Sequence, residues 1–353
     1  MLEKKNIRDF QPKDPIDHYF LLKKIEKRKK KDGSDYLILE LVDKTGSIYG
    51  NYWENFDKFL QDAEIGSIVK VTGNVEIFNE RLQLRIDEVN VIKENENVSL
   101  TDLLPVAQCD IDEMKKEFKK QINSIKNHWL KALLKKIFNE ERFQKFAHAP
   151  AGKSFHHNYI GGLLEHTLEV IKLCDLMYNI SESSKQQPVL NRDLLIAGAI
   201  LHDIGKIEEL SYDTFFDYTD KGRLIGHIVI AANYIYSACR EIPYFPEELE
   251  TLLTHLVLSH QGKLENATPV EPKILEAIVL YYADEMSAKM NAYRQIIRGG
   301  IETQSSWTKY HNVIQSSLFI QKDPEYYNNL HIENRTVPKE ENNNDEQPGL
   351  FEK

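Results

Sequence analysis

Histidines are concentrated in the middle of this 353-residue chain, which holds twelve in all. Those between residues 148 and 260 are His148, His156, His157, His166, His202, His227, His255 and His260. Acidic residues accompany them, with Asp203 directly after His202 and Asp284 further along. Neutral imidazole and carboxylate together suit divalent transition-metal ions. This stretch therefore predicts a metal centre.

The pair His202-Asp203 follows an apolar segment, Leu194–Leu201, that predicts a buried helix. We expect Asp193 to cap this helix and Gly205 to end it, which puts the pair in the last turn. A buried histidine and aspartate without partners would cost free energy. The pair requires either a metal ion or a hydrogen-bonded arrangement in the core, and taken alone it does not distinguish the two.

The remaining candidate ligands lie on other predicted helices, where an apolar face meets polar residues. They are His166 in "GGLLEHTLEVIKL", His227 in "GHIVIAANYI", His255 and His260 in "THLVLSHQG", and Asp284 in "EAIVLYYADEMSAKM". Helical bundles build metal centres from side chains on facing helices. The spacing therefore favours a metal site and predicts an all-α helical bundle around it.

The N-terminal part of the chain has a different pattern. Apolar residues alternate with period two between residues 17 and 92, as in Leu37, Leu39 and Leu41, whereas Glu54–Glu64 has helical spacing. Three strands, a short helix and two strands is the order of a five-stranded OB-type β-barrel, and another small β-barrel is the alternative. The predicted fold class is multidomain α and β, with the barrel followed by the helical bundle.

These patterns predict four segments. The barrel occupies residues 1–93, and a linker with connecting helices occupies 94–148, with Asn95–Leu100 as its polar part and a helical pattern from Asp110 to Asn139. The helical metal-binding domain occupies 149–321. The acidic tail 322–353, rich in Asn, Glu and Pro, is expected to be disordered.

Composition limits the class of protein. The net charge of −10 argues against a protein that coats nucleic acid without a defined groove. The cysteines, Cys109, Cys174 and Cys239, are widely spaced and indicate reduced thiols. No segment has the pattern of a signal peptide or the length of a membrane helix. We therefore expect a cytoplasmic protein without a membrane partner, and the oligomeric state, including a homo-oligomer, stays open.

A basic stretch, Lys23–Lys31, leads into the predicted turn Asp32-Gly33 of the barrel. Aromatic residues follow on the next two strands, and arginines lie on the last one. The candidate nucleic-acid-binding residues are Lys27, Arg28, Lys29, Lys30, Lys31, Tyr36, Tyr49, Tyr52, Trp53, Arg81 and Arg85. Aromatic side chains flanked by basic ones bind single strands without reading their sequence. The alternative is a solvated basic hairpin with aromatic residues in the core.

The order His166, His202-Asp203, Asp284 matches the H…HD…D signature of HD-domain metal-dependent phosphohydrolases. The stretches "HHNYIGGLLEHTLEV", "LHDIGKIEEL", "FDYTDKGRLIGHI" and "LSHQGKLENATPVEPKILEAIVLYYAD" resemble, in order and spacing, the YhaM-type 3′–5′ exoribonucleases. Members of that family also carry an OB-like domain ahead of the HD domain. The resemblance covers about residues 15–320.

The resemblance implies two neighbouring metal sites that share the carboxylate of Asp203. The implied ligands of the first ion are His166, His202, Asp203 and Asp284. The implied ligands of the second are Asp203, His227 and His260, with His255 as a further candidate that either binds or orients a ligand. Mixed imidazole and carboxylate ligands suit one or two ions of Mn²⁺ first, with Fe²⁺, Co²⁺ or Mg²⁺ as alternatives.

The resemblance also implies catalytic roles for Asp203, for Lys206 and, more weakly, for Arg223. The side chains of Lys206 and Arg223 would stabilise negative charge on a phosphoryl group. For Lys206 the alternative is a solvated lysine beyond a helix end. His156 and His157 either line the cleft or pack. The chain departs from the family pattern at two positions: Gln261 stands where a histidine is usual, and Ser287 where a second carboxylate is usual. Both departures bear on the affinity for the second ion.

The leading interpretation is a metal-dependent exonuclease acting on single-stranded RNA, with single-stranded DNA as a further substrate. It would digest from the 3′ end and release nucleoside 5′-monophosphates. The alternatives are an HD nucleotidase acting on mononucleotides, an HD-fold di-iron oxygenase, and a binding module with a structural metal. A nucleotidase would have no use for a basic aromatic barrel.

The tail contains "QPGLF", Gln347–Phe351, which resembles the QxxLF peptide that docks bacterial proteins on the replication sliding clamp. A short apolar anchor in a disordered acidic segment suits a docking peptide. The clamp is therefore a second hypothetical partner, beside single-stranded nucleic acid.

Overall fold

The computed structural model describes residues 5–321, except 80, 93–97, 99, 154–155, 185–186, 188, 213–214, 302–304 and 313. The chain divides into two compact units, 1–292 and 293–353. The barrel and the predicted metal ligands all belong to the first. The predicted disordered tail, the clamp peptide Gln347–Phe351 and most of the linker Asn95–Leu100 lie outside the described residues.

Five strands and one short helix form the N-terminal barrel. They are β1 (Pro15–Lys29), β2 (Asp35–Asp43), β3 (Gly46–Tyr52), α1 (Asp57–Asp62), β4 (Ile68–Phe78) and β5 (Arg81–Val91). The barrel closes in the order β1-β2-β3-β5-β4, with β3 and β5 parallel and the other neighbours antiparallel. The prediction of a five-stranded OB-type barrel is confirmed.

The barrel core follows from the alternation of apolar side chains. Leu37, Leu39 and Leu41 on β2 are fully buried, whereas Ile38 between them lies at intermediate depth and Glu40 is buried in an ion pair with Lys23. Gly73 lies where the backbones of β4 and β5 approach closely, because a Cβ there would overlap the backbone oxygen of Arg85. The register of the two strands shifts at this point, which lets the sheet bend into a closed barrel.

Helices predominate among the described residues that follow the barrel, as predicted. The helices are α2 (Leu100–Leu103), α3 (Ile111–Ser124), α4 (His128–Ile137), α5 (Glu140–His148), α6 (Gly162–Ser184), α7 (Arg192–Leu201), α8 (Lys206–Glu209), α9 (Asp220–Ile225), α10 (His227–Arg240), α11 (Glu247–Ser259) and α12 (Leu275–Ile301). A two-stranded hairpin, β6 (Leu210–Ser211) and β7 (Asp217–Tyr218), lies between α8 and α9. None of the described helices combines the length and apolar character that a membrane crossing requires.

Helix α7 is the centre of the bundle, since every residue from Leu194 to Leu201 is buried. The predicted cap at Asp193 is wrong: Asn191 caps the helix by accepting the backbone N–H of Leu194. The carboxylate of Asp193 instead accepts the N–H groups of Lys126 and Asn127, at 2.9 and 2.6 Å. This contact lies at a break between α3 and α4, so the helical pattern predicted from Asp110 to Asn139 forms two helices.

Gly205 has a different role from the predicted one. Helix α7 ends at Leu201, and Gly205 has an ordinary right-handed conformation, with φ of −61°. A Cβ at this position would overlap the backbone oxygen of His227. Glycine is therefore required because the first residue of α10 packs directly on the turn that carries His202 and Asp203.

A small apolar cluster joins the barrel to the helices. Leu21 of β1 is buried against Leu103, Leu104 and Ile160. Aromatic residues of the β6–β7 hairpin pack at the edge of this cluster. The barrel is thus attached through side-chain packing as well as through the chain itself.

We predict that Gly205→Ala destabilises the protein by about 1–3 kcal/mol, because the added methyl group must displace α10 from the His202-Asp203 turn. The urea midpoint of unfolding should fall accordingly. Gly299→Ala is the control, since a Cβ there meets no atom within 4 Å. Equal midpoints for Gly205→Ala and the native protein would contradict this account of the glycine.

Candidate metal centre and nucleic-acid interface

Four histidines bring their Nε2 atoms to one place in the bundle. His166 lies on α6, His202 directly follows α7, His227 begins α10, and His260 directly follows α11. His166, His202 and His260 are almost completely buried, and His227 is half-buried. Imidazoles from four separate segments therefore lie around one position in the bundle, the carboxylate of Asp203.

The carboxylate of Asp203 lies between two pairs of these rings. Its Oδ2 is 3.6 Å from His166 Nε2 and 3.4 Å from His202 Nε2. Its Oδ1 is 3.5 Å from His227 Nε2 and 3.7 Å from His260 Nε2. Each oxygen therefore faces one pair, as a carboxylate bridging two ions would.

Asp284 on α12 adds a second carboxylate on one side only. Its Oδ1 is 3.0 Å from His166 Nε2 and 3.8 Å from His202 Nε2. The predicted ligands thus come together as two groups, one of His166, His202, Asp203 and Asp284, and one of Asp203, His227 and His260.

The outer nitrogen of each ring has an acceptor, which leaves Nε2 directed inward. His202 Nδ1 lies 2.8 Å from Ala199 O, and His260 Nδ1 lies 2.7 Å from Val257 O. Both carbonyls belong to the last turn of a helix, where backbone oxygens lack a partner within the helix. A ring that donates through Nδ1 keeps the Nε2 lone pair for a metal ion.

The other two rings depend on side chains from elsewhere. Glu209 Oε1 lies 2.9 Å from His227 Nδ1 and also accepts the backbone N–H of His227. His166 Nδ1 lies 3.0 Å from Ser287 Oγ, and that hydroxyl donates to Glu169 Oε2 at 2.7 Å. Sequence reasoning missed Glu169 and Glu209 as positioning groups, since both read as ordinary helical carboxylates.

The two departures from the family pattern both lie at the site. Ser287 is buried and connects His166 to Glu169, so a carboxylate reaches this ring through a hydroxyl. The amide nitrogen of Gln261 is 3.5 Å from His227 Nε2, and it therefore borders the second group.

Burial and charge decide the protonation of the carboxylates. Burial alone would raise the pKa of Asp203, but Lys206 and His202 hold it well below its usual value. Burial likewise opposes ionisation of Asp284, but the neighbouring imidazoles of His166 and His202 outweigh it, so that its pKa is also lowered. Both carboxylates are therefore ionised at neutral pH, as metal ligands must be.

The histidines do not all shift in the same direction. Burial lowers the pKa of His260 to about 4 and also lowers that of His166, so both rings are neutral. For His202, burial acts in the same direction, but the charge of Asp203 outweighs it and raises the pKa. A divalent ion would take the place of the proton on that ring.

The residues present fit a divalent metal ion. The Oδ1 atom of Asp203 is buried and has no hydrogen-bond donor among the described residues, although the group is ionised. Leaving a buried anionic oxygen without a donor is costly. Imidazole nitrogens surround it at 3.5 and 3.7 Å, a separation typical of atoms that share an ion and too long for hydrogen bonds.

Lys206 lies inside the site. Its Nζ is 2.6 Å from Asp203 Oδ2. Burial would lower the pKa of the ammonium, but the Asp203 carboxylate raises it, so Lys206 stays charged. The alternative of a solvated lysine beyond a helix end does not describe this buried side chain.

His255 and Arg223 are not brought into the cluster. The Nε2 of His255 accepts the backbone N–H of Lys273 at 3.0 Å, so that nitrogen is already used, and His255 is in neither ligand group. Arg223 is exposed and donates to Asp217 at 3.2 Å. His156 and His157 do border the site, with ring centroids 5.4 and 5.2 Å from that of His166.

One outward face of the barrel carries four of the predicted nucleic-acid-binding residues, Lys30, Tyr36, Trp53 and Arg85. The rings of Tyr36 and Trp53 are stacked, with centroids 4.6 Å apart and planes 17° apart. Lys30 Nζ lies 5.8 Å from the centroid of Trp53. The register Asn51↔Arg85 puts Arg85 on the same outward face of β5.

Tyr52 is wrongly included in the predicted nucleic-acid-binding set. It is only 5% exposed and lies in the barrel core with Phe56 and Phe59, and its hydroxyl donates to Asn55 O. Strand alternation explains this position, because Tyr52 pairs with the buried Leu37 while Tyr49 faces outward.

The positive charge of the hairpin is partly compensated by acidic residues. Lys27 and Lys29 both pair with Asp35, and Arg28 pairs with Glu26. Lys30 and Arg85 have looser acidic neighbours, while Lys31 and Arg81 are exposed. Exposed ion pairs of this kind contribute little free energy and can be exchanged for contacts with phosphate.

We predict that metal stoichiometry separates the two groups. Asp203→Asn should lower Mn²⁺ binding at both, because its carboxylate faces both. Asp284→Asn should affect only the first group and His260→Ala only the second. Equilibrium dialysis with elemental analysis measures the ions per chain, and circular dichroism checks the fold. A loss in Asp203→Asn no larger than in His260→Ala would rule out bridging.

Two family models match the chain, the HD domain over residues 163–289 and the OB-fold nucleic acid binding domain over residues 24–92. Among the solved structures that match about a quarter of it are two from replication protein A of Methanococcus maripaludis. The crystal structure of a domain is 23% identical, covers 25% of this chain and 94% of its own, and has a TM-score of 0.23. The solution structure of the second OB-fold domain is 23% identical, covers 27% and 98%, and has a TM-score of 0.22. At these TM-scores neither match bears on fold or ligand.

A curated relative matches most of the chain. The 3′-5′ exoribonuclease YhaM of Geobacillus sp. (strain WCH70) is 34% identical over 290 residues, which is 81% of this chain and 86% of the relative. The match therefore spans both the OB barrel and the HD metal centre. By this identity, its coverage and the shared pair of domains, the chain belongs to the YhaM family of 3′–5′ exoribonucleases.

Proposed function

We propose that this protein is a metal-dependent 3′–5′ exonuclease that hydrolyses single-stranded RNA, with single-stranded DNA as a further substrate, and releases nucleoside 5′-monophosphates. The observation that carries the proposal is the carboxylate of Asp203, which has one oxygen toward each of two histidine pairs. Phosphodiester hydrolysis benefits from two adjacent cations. The activity named for the Geobacillus relative supports the same assignment.

Each side chain of the site has a separate task in this reaction. Divalent ions bound here, Mn²⁺ in preference to Fe²⁺, Co²⁺ or Mg²⁺, would supply a nucleophilic water at neutral pH and Lewis-acid stabilisation of phosphoryl charge. Asp203 holds the two ligand groups together. Lys206 keeps its positive charge beside Asp203, where it can stabilise an oxygen of the reacting phosphate.

The products follow from which bond breaks. Water adds its oxygen to phosphorus, the bond between phosphorus and the 3′-oxygen breaks, and that oxygen takes up a proton. The phosphate then stays on the 5′ carbon of the released nucleotide. Repetition from the 3′ end yields mononucleotides.

The barrel supports a single-stranded substrate. Its stacked pair Tyr36 and Trp53, with Lys30 beside the indole, offers a platform for a base and a cation for a phosphate. Stacking is indifferent to base identity, as a processing exonuclease requires. A nucleotidase acting on mononucleotides would have no need of it.

The decisive experiment uses the metal-loaded protein and matched single strands of RNA and DNA labelled at the 5′ or the 3′ end. We expect the 3′ label to leave first, as mononucleotide, and a chelator to abolish release because the ligands act through the ions. Release of the 5′ label first would overturn the direction. Activity confined to free mononucleotides, or a requirement for oxygen, would favour a nucleotidase or a di-iron oxygenase.

We predict that Trp53→Ala weakens binding of long strands by about 1–3 kcal/mol, the contribution of one stacked base. Hydrolysis of a dinucleotide should change little, because so short a substrate cannot reach the barrel and the metal centre together. Fluorescence titration gives the Kd, and product release gives the turnover. Tyr52→Phe is the matched control, since that aromatic ring is buried in the barrel. Equal losses on long and short substrates in Trp53→Ala would contradict a separate strand-binding barrel.

A further inference from the structure

The β6–β7 hairpin leaves one aromatic ring in solvent while burying the others. Tyr212, Phe215 and Phe216 are partly buried and pack against the cluster of Leu21 and its neighbours that joins the barrel to the helices. Tyr218, at the end of the hairpin, is 45% exposed. Three aromatic rings thus anchor the hairpin, and the ring of Tyr218 is left accessible to solvent.

Two cations converge beside the exposed ring. Lys153 and Arg223 both donate to Asp217 Oδ1, at 2.7 and 3.2 Å. Lys153 Nζ also lies 6.0 Å from the centroid of Tyr218. Among these three side chains, two positive charges face one carboxylate. Both ion pairs are exposed and therefore weak, so a phosphate can join or replace Asp217 as the partner.

This patch is connected through the chain and through neighbouring side chains to both ligand groups of the metal centre. Tyr218 pairs with Leu210, the residue after Glu209, and Glu209 holds the ring of His227. Lys153 is three residues before His156, whose ring is 5.4 Å from that of His166. Both sides of the patch therefore lie within a few residues of side chains that contact or border the metal ligands.

We propose that Tyr218, Lys153 and Arg223 form a nucleotide subsite next to the metal centre, distinct from the platform on the barrel. A base stacks on the ring of Tyr218, and a backbone phosphate contacts the two cations. This subsite rests on the proposed exonuclease function and extends it, because it sets the register of the strand even when a substrate is too short to reach the barrel.

The test pairs the variant Tyr218→Ala with RNA tetranucleotides that lack one base, at each position in turn. With the native protein, one abasic position should raise KM by roughly 5- to 150-fold, equivalent to about 1–3 kcal/mol for a stacked base. Tyr218→Ala should raise KM for the intact tetranucleotide by a similar factor. In that variant, loss of the same base should change KM by less than about twofold, and kcat should stay near the native value.

Two control variants separate stacking from other effects. Tyr218→Phe keeps the ring and should behave as the native protein. Tyr236→Ala removes another exposed tyrosine with a cation over its ring, Arg240 at 4.3 Å, and should leave KM unchanged. Lys153→Gln should weaken the salt dependence of KM, because one phosphate contact is lost.

The outcomes distinguish this subsite from the function on which it rests. If the native protein digests no single strand, the proposed function fails. If it digests RNA, but each abasic penalty is as large in Tyr218→Ala as in the native protein, the subsite alone is overturned. A drop in kcat with unchanged KM would also overturn it, since that pattern belongs to the reacting centre.

Discussion

The carboxylate of Asp203 is the group around which the site is arranged. An ionised carboxylate is expensive to bury, and Asp203 is almost wholly buried. Lys206 compensates part of the charge through Oδ2, and among the described residues Oδ1 faces the imidazoles of His227 and His260 without a hydrogen-bond donor. The turn after α7, the start of α10 and the end of α11 all meet at this group. Gly205 makes that meeting possible because it lets the backbone of His227 approach.

The four rings around Asp203 are oriented in two ways. His202 and His260 are held by carbonyls three residues earlier in their own segments, an arrangement that any histidine at a helix end can make locally. His227 is held by the carboxylate of Glu209 from α8, and His166 by the hydroxyl of Ser287 from α12, which in turn donates to Glu169 on α6. The orientation of His202 and His260 is therefore set within their own segments. The orientation of His166 and His227 depends on the packing of α6 on α12 and of α8 on α10.

Sequence reasoning succeeded where the signal was periodic or local. The alternation of Leu37, Leu39 and Leu41 predicted the barrel strands, and the apolar run before His202 predicted a buried helix. The convergence of His166, His202, Asp203 and Asp284 was implied by the family resemblance, and the geometry agrees with it.

It failed where the answer depended on contacts distant in sequence. Asp193 looks like a helix cap, yet its carboxylate holds a turn more than sixty residues away. Tyr52 and Tyr49 are both aromatic residues of one strand, and only the register decides which faces solvent. His255 is near the cluster in sequence, but its Nε2 already accepts the backbone N–H of Lys273. Glu169 and Glu209 carry no signal in sequence, because their roles exist only once the helices have packed.

The apolar contact between the barrel and the helices has a consequence for the length of RNA that the enzyme can hold. Leu21 packs against Leu103, Leu104 and Ile160, so the barrel is fixed to the helices. The distance from the stacked pair of Tyr36 and Trp53 to the metal centre is then constant. In the proposed function, a strand shortened by digestion would release its 5′ part from the barrel at one defined length. Below that length each encounter would end sooner, and short oligonucleotides of nearly uniform size would accumulate before the last nucleotides are removed.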